Sequence, residues 1–184
     1  MDKNNEIIFF EAVYNSLISE DKELSSLFQN NSPLYYNQHN GITCLYETTI
    51  VYLVFKELMR NKFPLAVSWE HPYPDNYALK ADMALIYADK IEAFVEFKIW
   101  TTEDGREIRS DINKYLNFHS DISKYLCVIE YAGGDMNDNK DYLLSNNPEI
   151  QLVNMRQSTT NFYNYNYKKL EERYVFIYLF KMKN

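Results

Sequence analysis

The sequence predicts an α/β protein in which a central mixed β-sheet is flanked by helices. The chain up to Asn61 carries apolar residues at helical spacing, whereas short apolar segments separated by turn residues follow from Leu65 onward. One further amphipathic segment separates the third predicted strand from the fourth. Alternation of this kind is typical of helices packed on a sheet.

Length and composition indicate one domain over 1–184, with a core at about 42–131. The 184 residues are 46% hydrophobic, which disfavours disorder for the chain as a whole. The net charge of −7 disfavours a protein that grips nucleic acid by a uniformly basic surface, although a local basic groove is compatible with it.

No targeting or membrane segment is expected. The N-terminal residues are polar and acidic, unlike a signal peptide. The longest apolar runs, Ile50–Phe55 and Tyr174–Phe180, are too short to span a bilayer. We expect a cytoplasmic protein with no membrane partner, and a homo-oligomeric state is left open.

Helices are predicted before the sheet. Apolar residues recur on one helical face near the N-terminus, and the run Ile50–Phe55 is apolar nearly all round, which indicates a buried helix. The predicted helices of this half are Asn5–Ser19, Asp21–Phe28 and Ile42–Asn61.

Three strands should follow, at Leu65–Glu70, Leu79–Tyr87 and Ile91–Trp100. Pro72 and Pro74 are expected to end the first one. Only a few residues separate the second strand from the third, so these two should form an antiparallel hairpin.

A helix and further strands complete the prediction. An amphipathic helix is predicted over Thr102–His119, because its stripe at i, i+4, i+7, i+8 and i+11 holds Ile108, Ile112, Tyr115, Leu116 and His119. The core order is therefore αβββαβ. The elements expected after that helix are a strand at Lys124–Tyr131, a short helix at Lys140–Leu144, and strands at Ile150–Met155 and Tyr174–Met182.

The predicted hairpin carries three ionisable residues in apolar surroundings. Side chains alternate along a strand, so Glu96 and Lys98 point the same way. A three-residue loop at Ala88-Asp89-Lys90 would place Asp82 directly opposite Glu96, whereas a two-residue loop would turn Asp82 to the other face. Buried charges need partners, so this arrangement needs a chemical reason.

Metal-assisted chemistry supplies such a reason. Adjacent carboxylates repel each other unless a proton or a cation lies between them, and oxygen ligands suit Mg²⁺. A lysine on the same face could orient water or stabilise charge on a phosphate. The alternative is a cross-strand ion pair between Glu96 and Lys98 in an ordinary hairpin.

The segments Lys80-Ala81-Asp82 and Glu96-Phe97-Lys98 resemble the PD-(D/E)XK motif of the restriction-endonuclease-like superfamily. Ala81 stands where the motif's name has proline. The order of predicted elements from 42 to 131 resembles the core of that superfamily, so the resemblance implies a restriction-endonuclease-like fold and metal-dependent nuclease activity.

The resemblance also implies roles for individual residues. Asp82 and Glu96 would bind Mg²⁺ or Mn²⁺ together with the backbone carbonyl of Phe97, and Lys98 would assist catalysis. Many members have a glutamate on the helix before the sheet, a place that Glu47 matches as a catalytic and metal-binding residue. Its position along a buried helical stripe agrees with that role, while the alternative is a first-turn glutamate favoured by the helix dipole.

Three further residues are candidates for the site, and each also has a simpler structural explanation. Asp111 and Lys114 lie on the helix after the motif, where related nucleases often contact substrate, although a solvated helix face would explain them too. Glu70 ends the first strand and is a candidate extra metal ligand or a plain strand-end charge.

Two functions remain open at this point. The first is a divalent-metal-dependent nuclease acting on nucleic acid, on DNA rather than RNA. The second is a catalytically silent nuclease-like fold that binds protein or mimics nucleic acid, which the acidic net charge would suit.

Overall fold

The computed structural model describes residues 1–30, 41–74, 76–100, 105–118, 120–132, 138–164 and 169–183. The helices in these ranges are α1 (Lys3–Asn30), α2 (Glu47–Arg60), α3 (Arg106–Leu116) and α4 (Asp138–Asn146), with a 3-10 helix at Gly41–Cys44. The strands are β1 (Ala66–Tyr73), β2 (Asn76–Tyr87), β3 (Lys90–Trp100), β4 (Ser123–Ala132), β5 (Ile150–Asn164) and β6 (Lys169–Met182). Within the described part of the chain, no helix combines the length and apolar character needed to cross a membrane.

The six strands form one sheet in the order β1-β2-β3-β4-β6-β5. β3 and β4 are parallel, and all other neighbours are antiparallel. A parallel pair needs a crossover connection, and α3 lies within this one. The predicted α/β class with a mixed sheet is confirmed, and α2 to β4 follow the predicted order of helix, three strands, helix and strand.

Helices cover both faces of the sheet. On one face α1 and α2 pack against it through a buried cluster that includes Phe9 and Val54. On the other face α3 and α4 contribute Ile108 and Leu143 to a second cluster. The central strands are apolar on both faces for this reason, and a charged group placed in them must find a partner.

α1 is one continuous helix, so the prediction of separate helices at Asn5–Ser19 and Asp21–Phe28 is wrong. No glycine or proline interrupts the chain between the two segments. Asp21 has a tertiary role instead. Its Oδ1 accepts the backbone N–H of Ile42 at 3.0 Å and the hydroxyl of Thr160, and these bonds join α1 to the 3-10 helix and to β5.

The other helix boundaries differ in smaller ways. α2 begins at Glu47 and not at Ile42, because the preceding residues form the 3-10 helix. The predicted ends of the next helix, Thr102 and His119, lie outside the described residues, while its centre is helical as expected.

Each of the six strands is longer than predicted, and β2 begins at Asn76 and not at Leu79. β1 continues through Pro72, which is tolerated because β1 is an edge strand whose described ladder is with β2. β5 and β6 extend well beyond the predicted Ile150–Met155 and Tyr174–Met182, because each strand supplies the other's backbone partners along its length.

Candidate functional site

The β2–β3 hairpin turns through two residues. Ala88 and Asp89 both have positive φ, 46° and 63°, and Tyr87 therefore pairs with Lys90. A two-residue turn of this kind suits the right-handed twist of the strands. The predicted three-residue loop is wrong.

A β-bulge compensates for the shorter turn. Ile86 pairs with Ile91 but Leu85 pairs with Ala93, so Glu92 is an extra residue in β3. One inserted residue reverses the faces of everything that follows it on the strand. The bulge thus has the same effect on the later register as the longer loop would have had.

Beyond the bulge the predicted face is recovered. Met83 pairs with Val95, so the next position brings Asp82 level with Glu96. The shared face is the one beneath α3, because α3 makes ion pairs with side chains of β3 on it. In this register Asp82, Glu96 and Lys98 lie on one face, as the sequence predicted.

The described β2–β3 ladder ends at Met83–Val95, although both strands continue. Carboxylates take over there as backbone acceptors. The Phe97 N–H donates to Asp82 Oδ2 at 2.7 Å, and the Ile99 N–H donates to Glu47 Oε1 at 3.2 Å. β2 and β3 therefore separate at Asp82 and Glu96. We call this place the fork, and the candidate site lies there.

Glu96 is buried at the fork and has two donors on the same oxygen. The Tyr73 hydroxyl donates to its Oε1 at 2.7 Å, and the Lys114 ammonium contacts that atom as well. Sequence reasoning missed Tyr73, because an aromatic residue near a strand end carries no signal for a carboxylate partner. The contact follows only from the fold, which packs the Tyr73 ring against Phe94 and Phe118.

The environment makes ionised Glu96 unfavourable. Burial, followed by the charge of Asp82, raises the pKa of Glu96 to about 7, while the hydrogen bonds from Lys114 and Tyr73 oppose this rise. Glu96 therefore gains or loses its proton near neutral pH. A cation held between Glu96 and Asp82 would favour the ionised form.

Lys98 lies between two carboxylates. Its ammonium is 2.9 Å from Glu47 Oε2 and 3.4 Å from Asp111 Oδ2. Burial lowers the pKa of Lys98, but the hydrogen bond to Glu47 and the charges of Asp111, Glu47 and Asp82 outweigh it, so the pKa is raised overall. Lys98 is a cation at neutral pH, and it can donate hydrogen bonds to an anion but cannot serve as a base.

α3 carries both residues that were predicted to contact substrate, and both lie at the fork. Asp111 contacts Lys98, and Lys114 contacts Glu96. Their side chains are only 13% and 21% exposed, so the alternative of a fully solvated helix face does not describe them. Burial raises the pKa of Asp111, and the nearby ammonium groups only partly offset this effect.

Glu70 lies level with Asp82 in the β1–β2 ladder, between the pairs formed by its two chain neighbours. Its backbone has a positive φ of 48°, and its exposed carboxylate contacts the Lys80 ammonium at 3.2 Å. In the described contacts the Glu70 carboxylate pairs with Lys80, and not with Asp82 or Glu96.

The donor chemistry at the fork fits a hard divalent cation, because Asp82 and Glu96 lie level on neighbouring strands, interact electrostatically and both offer carboxylate oxygens. Phe97 lies between Glu96 and Lys98 on β3, with its side chain in the opposite core. Among the described residues, however, no three or more His, Cys, Asp or Glu side chains are grouped to hold a metal ion. Glu47 is engaged by Lys98, so it would have to turn before it could act as a ligand.

The charges at the fork do not cancel. Four carboxylates and two ammonium groups meet there, which leaves −2 when all are ionised. They are Glu47, Asp82, Glu96, Asp111, Lys98 and Lys114. A deficit of this size matches one divalent cation.

Comparisons with protein-family models, curated proteins and solved structures give no significant match for this chain.

Proposed function

We propose that this chain is a divalent-metal-dependent nuclease of the PD-(D/E)XK type, which hydrolyses phosphodiester bonds and prefers DNA. The observation that carries this assignment is the placement of Asp82 and Glu96 side by side where β2 and β3 separate, with protonated Lys98 on the same face. A hairpin with an ordinary ion pair would match Glu96 with Lys98, whereas each of these residues has a different partner here.

The order and packing of the elements support the same assignment. The helix, three strands, helix and strand from α2 to β4 follow the order of a restriction-endonuclease-like core. The lysine and the carboxylates converge from α2, β2, β3 and α3 at one end of the β3 ladder. Convergence of ionisable side chains from four elements is typical of catalytic sites and costly for a purely structural core.

Each residue has a definite task in this proposal. Asp82 and Glu96 would hold Mg²⁺ or Mn²⁺, with the Phe97 carbonyl as a further ligand. The chemistry that such an ion would supply is activation of water and polarisation of a phosphate oxygen. Lys98 donates hydrogen bonds to an anionic oxygen of the phosphate. Glu47 and Asp111 keep the Lys98 ammonium protonated and directed toward the fork.

The test is nucleic-acid cleavage with matched variants. Purified protein is incubated with supercoiled plasmid, single-stranded DNA and RNA in Mg²⁺, Mn²⁺ or EDTA. Cleavage should require the divalent ion, and Asp82→Asn, Glu96→Gln and Lys98→Ala should each abolish it. The control variants Asp89→Asn and Lys90→Ala make similar changes at the exposed hairpin turn and should retain activity.

Metal titration separates the roles. Lys98→Ala should bind Mn²⁺ in calorimetry, because Lys98 acts on the phosphate, whereas Asp82→Asn should bind it weakly. If the wild-type protein binds no Mn²⁺ and cleaves none of the substrates, the nuclease assignment is wrong. The alternative, a silent nuclease-like fold that binds protein or mimics nucleic acid, would then be favoured by the uncompensated negative charge at the fork.

A further inference from the structure

Lys114 differs from Lys98 in what it contacts. The Lys98 ammonium lies between Glu47 and Asp111. The Lys114 ammonium lies on Glu96 itself, the buried carboxylate that faces Asp82. Lys114 is therefore the side chain that supplies positive charge where a metal ion would have to bind.

Two further contacts hold this ammonium in place. Besides Glu96, it donates to the backbone carbonyl of Lys80 at 3.0 Å. It also lies 5.1 Å from the centre of the Tyr73 ring, within the range of a cation–π interaction. Tyr73 thus contacts both members of the pair, since its hydroxyl donates to the same Glu96 oxygen.

A divalent ion cannot share this place with an ammonium group. Lys114 contacts Glu96 Oε1, and an ion bound between Glu96 and Asp82 would bring a second positive charge against this ammonium, where like charges repel strongly because the site is partly buried. Lys114 is in the last turn of α3 and its side chain is 21% exposed, so its flexible stem can carry the head outward without movement of the helix. Asp111, one turn earlier, stays paired with Lys98.

We propose, on the basis of the nuclease function proposed above, that Lys114 is an internal cation that occupies Glu96 until a divalent ion displaces it, and that the released ammonium then binds the nucleic-acid backbone. Metal binding and substrate binding are coupled through this one side chain. Without metal, Lys114 offsets one of the two negative charges of Asp82 and Glu96, and with metal bound its ammonium is an additional positive charge presented to phosphate at the fork.

The first test is calorimetric titration of the full chain with MnCl₂, without nucleic acid. Lys114→Met removes the competing charge but keeps the length of the stem, so we expect its Kd for Mn²⁺ to be at least roughly tenfold lower than that of the wild type. Lys114→Arg keeps the charge and should bind Mn²⁺ like the wild type. Lys90→Met is the matched control, because Lys90 is exposed at the hairpin turn of the same sheet.

The second test uses the wild-type protein, so it does not depend on whether a variant folds. Lysines are labelled with a limiting amine-reactive reagent and quantified by mass spectrometry. Labelling of Lys114 should be slow without metal and should increase several-fold at saturating Mn²⁺, whereas Lys90 should label equally in both conditions. In parallel, Lys114→Met should bind a single-stranded or duplex oligonucleotide several-fold more weakly than the wild type in Ca²⁺.

The outcomes distinguish this inference from the nuclease assignment. If Mn²⁺ binds and nucleic acid is cleaved, but Lys114→Met has unchanged or weaker Mn²⁺ affinity, Lys114 does not compete with metal while the nuclease assignment stands. Unchanged Lys114 labelling on Mn²⁺ saturation would overturn displacement in the same way. Absence of Mn²⁺ binding in the wild type and in every variant would overturn both.

Discussion

Glu96→Gln should remove one component of the pH dependence of stability in the metal-free protein. The pKa of Glu96 is raised from 4.5 to about 7 in the folded chain by burial and by the charge of Asp82. The folded protein therefore holds this proton more tightly than the unfolded chain does. The resulting stabilisation is fully present below pH 4.5 and is lost as the pH rises through about 7.

The magnitude follows from the size of the pKa change. An increase from 4.5 to about 7 corresponds to about 3 kcal/mol at roughly 1.36 kcal/mol per pKa unit. Relative to Glu96→Gln, the free energy of unfolding of the wild type should fall by about that amount as the pH rises through this window. For a chain of this size the difference corresponds to roughly 6–12 °C in Tm.

Urea unfolding followed by far-UV circular dichroism, in EDTA and at several pH values from 4 to 9, measures this difference. Glu172→Gln, an exposed change of the same type on β6, is the control and should follow the wild type. The reasoning would be refuted if the free energy of unfolding changed with pH in the same way in the wild type and in Glu96→Gln. A wild type that gains stability with pH relative to Glu96→Gln would show that the ion pair with Lys114 outweighs burial and the charge of Asp82.

Three further changes have definite expected effects on the metal-free protein, each measured by urea unfolding. Lys98→Met should lower the free energy of unfolding by about 2 kcal/mol, because two partly buried carboxylates lose their ammonium partner. Unchanged stability would show that solvent replaces the ammonium group. Tyr73→Phe should lose about 1 kcal/mol and should move the Glu96 transition to higher pH, since the hydroxyl lowers the pKa of that carboxyl; a transition at the same pH would contradict this. Gly41→Ala should lose at least about 2 kcal/mol, because φ is +62° and the added Cβ would lie 2.1 Å from Asp21 Oδ1; a neutral effect would mean that the 3-10 helix is rearranged.

The sequence predicted the faces of the hairpin for a partly wrong reason. The predicted metal site required Asp82 and Glu96 on one side of the hairpin, and a loop of three residues was the simplest way to achieve this. The chain instead combines a two-residue turn with a bulge at Glu92, which changes the register by the same single residue. A bulge in an apolar strand leaves no local sequence signal, so only the paired strands reveal it.

Tertiary contacts also decided which side chains partner the acidic pair. Tyr73 and Lys114 reach Glu96 because β1 passes beyond Pro72 and the last turn of α3 packs over the fork. The two residues are 41 positions apart and belong to different elements. No periodicity within either segment could have joined them.

By itself, the sequence determined the α/β class, the order of the core elements and the candidate acidic residues, because hydrophobic periodicity and strand alternation are local properties of the chain. Only the tertiary structure decided that Lys98 pairs with Glu47 and Asp111 while Lys114 occupies Glu96. Those partners are chosen by burial and by competition among several nearby charges, and both depend on elements that are distant in sequence and meet only in the fold.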